Sequence, residues 1–343
     1  MQAIQFGEDR RASLVDIAPP SLAPGHAIVR ITSAGICGSD LTALSGTHPF
    51  RVPPLISGHE GGGVITAIDD RSSTLSVGDH VVIEPQRSCG TCQACEGGLT
   101  HLCERKLMLG MSEWPGTFAE QVSVPTDKLY PVSPQVPAQY LALAEPLAVA
   151  IHAVRRLDPA HLGRVAVLGG GAIGSLIVLT LAYAGTTFIA ATDVRESNRR
   201  LCLDMGAHAV EDPLSAGWHD TLRRTAGAPF DTVFVAAAVP GIVDDANTLV
   251  RPRGTIVQVG LFGSPVTFDL SSFQRDEKHL LGSNVYESDD FEAAVEILEA
   301  DPGAVARIVN RHATLHQAAA YLNGRMEGRL DDTVKMLVFP DPS

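Results

Sequence analysis

The sequence predicts an α/β protein: a Rossmann-type, doubly wound parallel sheet together with a second, mostly β domain. Three observations carry this expectation. Over about the first 130 residues, short alternating apolar runs sit between clusters of Pro, Gly, Ser and Asp. From Val165 onward, apolar strands, glycine turns and helical patterns repeat in order, as in a parallel sheet covered by helices. The chain has 343 residues, enough for two domains at roughly 100–200 residues each.

In the β-rich part, strands are predicted at residues 27–31, 63–68, 80–83 and 118–124. Residues 131–137 are proline-rich. Apolar residues then recur at helical spacing from Tyr140 to about Val154 and predict a linking helix. Next come a strand at 165–168, a helix at 173–184, a strand at 188–191 and a helix at 196–205 that Gly206 stops. Residues 232–236 and 255–259 read as buried strands. Beyond about Gly282 one amphipathic helix, 289–300, precedes weaker patterns that end in a strand-like 333–339. No repeat or low-complexity tract interrupts this order.

Hydrophobic residues make up 45% and charged residues 19%, ordinary for a globular chain. The net charge of −13 gives an acidic surface that repels phosphate backbones, so nucleic acid is not an expected partner. The N-terminus has no basic cap followed by an apolar run, which predicts a cytoplasmic protein without a secretory signal. Residues 165–192 carry no charge and could span a bilayer by length. Glycines at 169, 170, 171, 174 and 185 instead divide them into strand, turn, helix, turn and strand. A buried parallel strand and its helix are also apolar throughout, so no membrane is expected.

Six cysteines are present. Four form the run Cys89-x2-Cys92-x2-Cys95-x7-Cys103; Cys37 and Cys202 stand apart. In a chain with no export signal, clustered cysteines point to metal before disulfides. Four thiolates can close a tetrahedral shell around zinc and leave no open position, a structural site. The alternatives are two disulfides or four free thiols, and neighbours two apart on a tight loop suit a metal better.

A second, scattered set is Cys37, His59, Glu60 and Glu145. Catalytic zinc takes a few N, S or O donors and keeps one position open. Cys37, His59 and Glu60 supply three different donors, and Glu145, followed by Pro146, could be a fourth ligand or hold metal-bound water. Any one of them alone is weak, since a lone cysteine is usually a small buried hydrophobe. The run Cys37-Gly38-Ser39-Asp40 strengthens the set. Asp40 could take the second ring proton of His59, and Ser39 could accept and pass on a substrate hydroxyl proton. Two Zn2+ ions per chain, one catalytic and one structural, are therefore expected.

The third signal is Gly169-Gly170-Gly171-Ala172-Ile173-Gly174. It follows a predicted strand, opens a predicted helix, and precedes Asp193 at the distance the dinucleotide fingerprint requires. Gly169 would make the tight turn, Gly171 would let the backbone approach a pyrophosphate, and Gly174 would let helix and strand pack closely. Ile173 belongs to the same cofactor-binding turn. Asp193 would bond the adenosine ribose hydroxyls and so select NAD over NADP, while Arg195 and Arg199 could clamp a 2′-phosphate instead. The plain alternative is an ordinary glycine turn. Among other residues, His26, His80, His101, His161 and His219 read as surface or loop positions. His48 could approach the active site, and Trp114 could line a pocket or simply pack.

Taken together, these residues resemble the zinc-dependent medium-chain dehydrogenase/reductase (alcohol dehydrogenase) family over nearly the whole chain. The matching order is Cys37-Gly38-Ser39-Asp40, Gly58-His59-Glu60-x-x-Gly63, Val77-Gly78-Asp79, the four-cysteine lobe, Gly116-Thr117-Phe118-Ala119-Glu120 and the nucleotide fold. The run from Glu145 to Ala153 is similar to the sorbitol and threonine dehydrogenase group. The resemblance implies a split, GroES-like catalytic domain, 1–146 with 283–343, around a Rossmann domain, 147–282. It also implies an active site in the cleft between them and a homodimer or homotetramer. Three positions depart from the pattern: Thr42 where relatives often have a relay histidine, Asp69 where they have a turn glycine, and Asn198 where many carry an arginine.

The expected function is a zinc-dependent NAD(H) oxidoreductase that interconverts a small secondary alcohol and a ketone. A polyol, sugar alcohol, cyclitol or similar diol is the first substrate class, and an L-threonine 3-dehydrogenase-like activity on a β-hydroxy amino acid is the second. A non-catalytic zinc- and nucleotide-binding regulatory protein, or a metal-free enoyl or quinone reductase, would be expected only without the inner ligands. Pocket shape depends on residues 45–54, 108–116 and those beyond 259, which no motif constrains.

Overall fold

The computed structural model describes residues 1–158, 162–329 and 331–340. They fall into two compact units, Met1–Glu145 with Glu287–Ser343, and Pro146–Tyr286.

The first unit is built around the strand His26–Gly35. It pairs antiparallel with Glu60–Ile68 and with Gln121–Pro125. Its last residues pair with the C-terminal strand Lys335–Phe339. Together with His80–Ile83, Leu129–Pro131 and Val309–Thr314 these make a seven-stranded sheet. Ala12–Asp16, Gln2–Phe6 and Leu55–Ile56 make a three-stranded one. Phe6, Ile31, Leu44, Ile65, Ile83 and Phe118 fill the core, and Trp114 joins them. The Trp114 ring nitrogen donates to the Ser123 carbonyl at 3.0 Å, so this residue packs as one of its two expected roles had it. Register then assembles a site. Gly35 lies opposite both Glu60 and Leu337, and Cys37 follows two residues later. Three segments distant in sequence thus meet at one end of the sheet.

The second unit is the doubly wound sheet predicted from sequence. Six parallel strands run in the order Ala209–Glu211, Phe188–Thr192, Arg164–Leu168, Phe230–Val235, Val250–Gln258, His279–Gly282. This is the strand order 3-2-1-4-5-6 of dinucleotide-binding folds. The uncharged stretch resolves into strand, helix Ala172–Tyr183 and strand. Among the described residues no helix is long and apolar enough to cross a membrane.

The linking helix differs from expectation. Residues Ala138–Leu143 form a 3₁₀ turn, and the α-helix begins only at Ala144 and runs to Arg155. Pro146 explains this: it has no N–H to donate and its ring clashes with the carbonyl four residues back, so it fits only in a first turn. His161 lies outside the described residues.

Candidate active site

The ligand atoms of Cys37, His59 and Glu60 lie within 4.8 Å of one another. Cys37 caps the short helix Gly38–Leu44, and its backbone N–H donates to the Asp40 carboxylate at 2.9 Å. A carboxylate three residues into a helix can satisfy the open backbone donor at its start, so the run Cys37-Gly38-Ser39-Asp40 fixes the thiol through local hydrogen bonding. His59 and Glu60 are buried.

Asp40 does less for His59 than its sequence position implied. His59 Nδ1 stands 3.7 Å from Asp40 Oδ1, beyond hydrogen-bond range, and is buried with no hydrogen-bond partner among the described residues. Asp40 is fully buried and spends its acceptor capacity elsewhere, on the Cys37 N–H, the Ser57 hydroxyl at 2.9 Å and the Arg51 guanidinium. Burial opposes its charge, but Arg51 and then His59 outweigh that and hold the carboxyl below its usual range. Arg51, buried at 4% exposure, was not foreseen. It also donates to the Ser39 hydroxyl at 3.1 Å, the group expected to carry the substrate proton.

Lys335 is the second residue missed. Its Nζ lies 2.7 and 2.8 Å from the two oxygens of Glu60, with both side chains almost fully buried. Burial disfavours the ammonium, but Glu60 and Cys37 hold it above its ordinary range. Glu145 is buried and in electrostatic reach of His59, Glu60 and Cys37, yet it is not part of the compact donor set. Burial, with Glu60 and Cys37 beside it, pushes its carboxyl up to about 8. Cys37 is half-buried as a residue, but protein packed around its sulfur, and then Glu60, push the thiol up. Thiol, imidazole and carboxylate are donors that a divalent soft-to-borderline metal accepts.

The four clustered cysteines are brought together as a unit. Sulfur–sulfur distances are 3.5 Å for Cys92–Cys95, 3.9 Å for Cys92–Cys103 and 4.0 Å for Cys89–Cys95. A tetrahedron with metal–sulfur arms of about 2.3 Å has edges of about 3.8 Å, while a disulfide needs about 2.05 Å. All six cysteines are free. The Thr91 backbone N–H leads the effects that pull the Cys89 thiol down to about 5, toward the thiolate that a metal binds. The donor geometry fits zinc and excludes the disulfide alternative.

In the second unit the glycine run joins the strand Arg164–Leu168 to the helix Ala172–Tyr183, with Ile173 in its first turn. Gly169 has φ +102°, and a Cβ on Gly174 would stand 1.8 Å from the Gly169 carbonyl oxygen, so both positions require glycine. A Cβ on Gly171 would meet nothing within 4 Å. Its backbone therefore borders open space at a helix N-terminus, which suits a pyrophosphate. Asp193 follows the strand Phe188–Thr192, and Arg195 caps the next helix.

Of the remaining histidines, His101 corrects its expectation: it is buried at 5% exposure, 3.6 Å from Glu287. His48 Nδ1 accepts the N–H groups of Phe50 and Arg51 at 3.2 and 3.1 Å, so it shapes the loop that carries Arg51. His26 bonds Ser123 and His219 bonds Asp245. Asp69, at the position of a turn glycine, is not among the residues with positive φ, so no glycine is needed there.

Both units of the chain are similar to known proteins. Residues 23–134 match the alcohol dehydrogenase GroES-like domain and residues 172–300 the zinc-binding dehydrogenase domain. The chain is 31% identical to D-altritol 5-dehydrogenase of Agrobacterium fabrum over 92% of its length and 94% of that protein. It is 31% identical to 2-dehydro-3-deoxy-L-galactonate 5-dehydrogenase of Pseudoalteromonas atlantica, over 96% and 97%. A zinc-binding dehydrogenase from Sinorhizobium meliloti, solved bound to NADP, superposes with a TM-score of 0.90 at 28% identity over 99% of both chains. Fold and site define an alcohol/polyol dehydrogenase, an oxidoreductase that interconverts a secondary alcohol and a ketone. The chain belongs to the zinc-dependent medium-chain dehydrogenase/reductase family.

Proposed function

We propose that the chain oxidises a neutral polyol or sugar-type diol to its ketone, using NAD and zinc held by Cys37, His59 and Glu60 with Glu145 beside them. The observation that carries this is the compact, buried donor set of Cys37, His59 and Glu60 with the Ser39 hydroxyl on the adjoining helix turn. A zinc ion there would supply Lewis acidity, lowering the pKa of an alcohol. Ser39 would take up the alcohol proton with its hydroxyl oriented by Arg51, and a bound nicotinamide would supply the hydride acceptor for the carbinol carbon. The two buried cations bear on the charge a substrate can carry. Arg51 is committed to Asp40 and Lys335 to Glu60, so a substrate carboxylate gains no partner from either. That favours neutral hydroxyl compounds over sugar acids and β-hydroxy amino acids. Nicotinamide absorbance assays across these three classes test it; turnover confined to the charged classes would overturn it.

Two zinc ions with different fates are expected. The four-thiolate site is closed, whereas the Cys37 site keeps an open position and should yield its metal first to a chelator. During dialysis, activity should disappear while about one zinc per chain stays bound. Full activity in metal-free protein would contradict the reading.

NAD should be preferred over NADP. Asp193 follows the strand Phe188–Thr192, where a carboxylate would accept from ribose hydroxyls, and a 2′-phosphate there would set like charges together, on the order of a hundredfold in preference. The Sinorhizobium relative was solved with NADP, so the comparison of kcat/KM for the two cofactors is decisive. Asp193→Ser should narrow the gap, mainly through the KM for NADP.

A further inference from the structure

The Asp193 carboxylate is held by three donors. Oδ1 accepts the Arg195 N–H at 2.8 Å, and Oδ2 accepts the Gly170 N–H at 2.9 Å and the Asn198 side-chain amide at 3.1 Å. Two of these are backbone groups that any sequence would supply. Asn198 is different. It is 6% exposed, and its Oδ1 is buried with no hydrogen-bond partner among the described residues. Turning the amide over would set that oxygen against the carboxylate, so charge dictates the orientation. A buried acceptor without a donor weakens a fold, and alanine would avoid it. What the arrangement does secure is one rotamer of Asp193.

A second feature concerns Arg199, a guanidinium one residue further along the same helix. Its Nη1 donates to the Asp193 carbonyl at 2.7 Å and lies 3.4 Å from Asp212 Oδ2. Asp212 directly follows the strand Ala209–Glu211. The cation able to clamp a 2′-phosphate bidentately is therefore tied down on the protein side.

We propose that Asn198 and Asp212 set the cofactor choice from behind Asp193: Asn198 by holding its carboxylate ready for the ribose hydroxyls, Asp212 by keeping Arg199 from a 2′-phosphate. Both are positioning residues. The proposal rests on the NAD reading above.

Titration of NADH and NADPH into the full-length protein, followed by nicotinamide fluorescence, tests it without any alcohol substrate. The wild type should bind NADH the more tightly. Asn198→Ala should weaken NADH about three- to tenfold, the range that immobilising one side chain is worth, with NADPH little changed and the melting temperature not lowered. A purely structural asparagine would lower the melting temperature and weaken both cofactors alike. Asp212→Asn should tighten NADPH by a similar factor and leave NADH nearly unchanged, and Arg199→Ala added to it should cancel the gain. Wild-type protein that binds NADPH as tightly as NADH would overturn the NAD reading itself. A wild-type preference for NADH that stays within about twofold in Asn198→Ala or in Asp212→Asn would overturn this proposal alone. Parallel loss of both cofactors in a less stable Asn198→Ala would also overturn it.

Discussion

Replacing Ser39 by alanine is expected to lower turnover by about 10²–10⁴-fold, the worth of a positioned proton-transfer group, with little change in the KM for the cofactor. A hydroxyl has one proton to donate and two lone pairs to accept with. Arg51 Nη1 donates to Ser39 at 3.1 Å and occupies one lone pair. The hydroxyl's own proton faces the Cys37 sulfur, which leaves one lone pair to take a proton from an alcohol. Because the guanidinium is buried and anchored on Asp40 and Ser57, the hydroxyl is held in place before substrate arrives. Pre-steady-state measurement with protonated and deuterated alcohol isolates the hydride step. Ser39→Thr keeps the hydroxyl and should retain most of the rate. Less than about a threefold loss in Ser39→Ala, with hydride transfer shown to limit turnover, would remove Ser39 from proton transfer.

Much of the second unit was legible in the sequence for a simple reason. Strands of a parallel sheet are buried on both faces and carry unbroken apolar runs, as in residues 165–168 and 233–235. The outer strands Ala209–Glu211 and His279–Gly282 were not legible, since edge strands are short and partly exposed; His279 and Leu280 are both exposed. The late start of the linking helix was legible in principle, because Pro146 alone dictates it. Two helices of the nucleotide unit, Trp218–Ala226 and Ile242–Leu249, went unread although both carry apolar residues at helical spacing.

The candidate site divides along the same line between local and distant. Cys37, Ser39 and Asp40 are neighbours, and the four clustered cysteines share one loop, so spacing alone reveals them. Arg51 sits between exposed Phe50 and Val52, the reverse of the usual apolar-in pattern, and no local rule points a lone loop arginine inward. Lys335 meets Glu60 across 275 residues of sequence. Its one signal was a lysine opening the otherwise apolar strand Lys335–Phe339, where a charge inside a buried strand demands a partner.

That lysine carries the largest expected effect on stability. Lys335→Met should destabilise the protein by about 3–5 kcal/mol, the cost of leaving one charge of a buried pair uncompensated. The side chain touches both oxygens of Glu60 and also donates to the Ile36 carbonyl at 3.2 Å. Without it, Glu60 would share a water-poor site with Cys37 and Glu145, both of which its charge already pushes toward their neutral forms. Methionine nearly matches the volume, so packing contributes little to the loss and charge contributes most. The effect should therefore be reversed by neutralising the partner. In metal-depleted protein, adding Glu60→Gln to Lys335→Met should recover most of the stability, because a buried pair replaced as a unit costs little. A double-mutant cycle by denaturant unfolding measures this as a strong coupling between the two positions. If Lys335→Met costs less than about 1 kcal/mol, or if Glu60→Gln fails to rescue it, the pair does not hold this end of the sheet together.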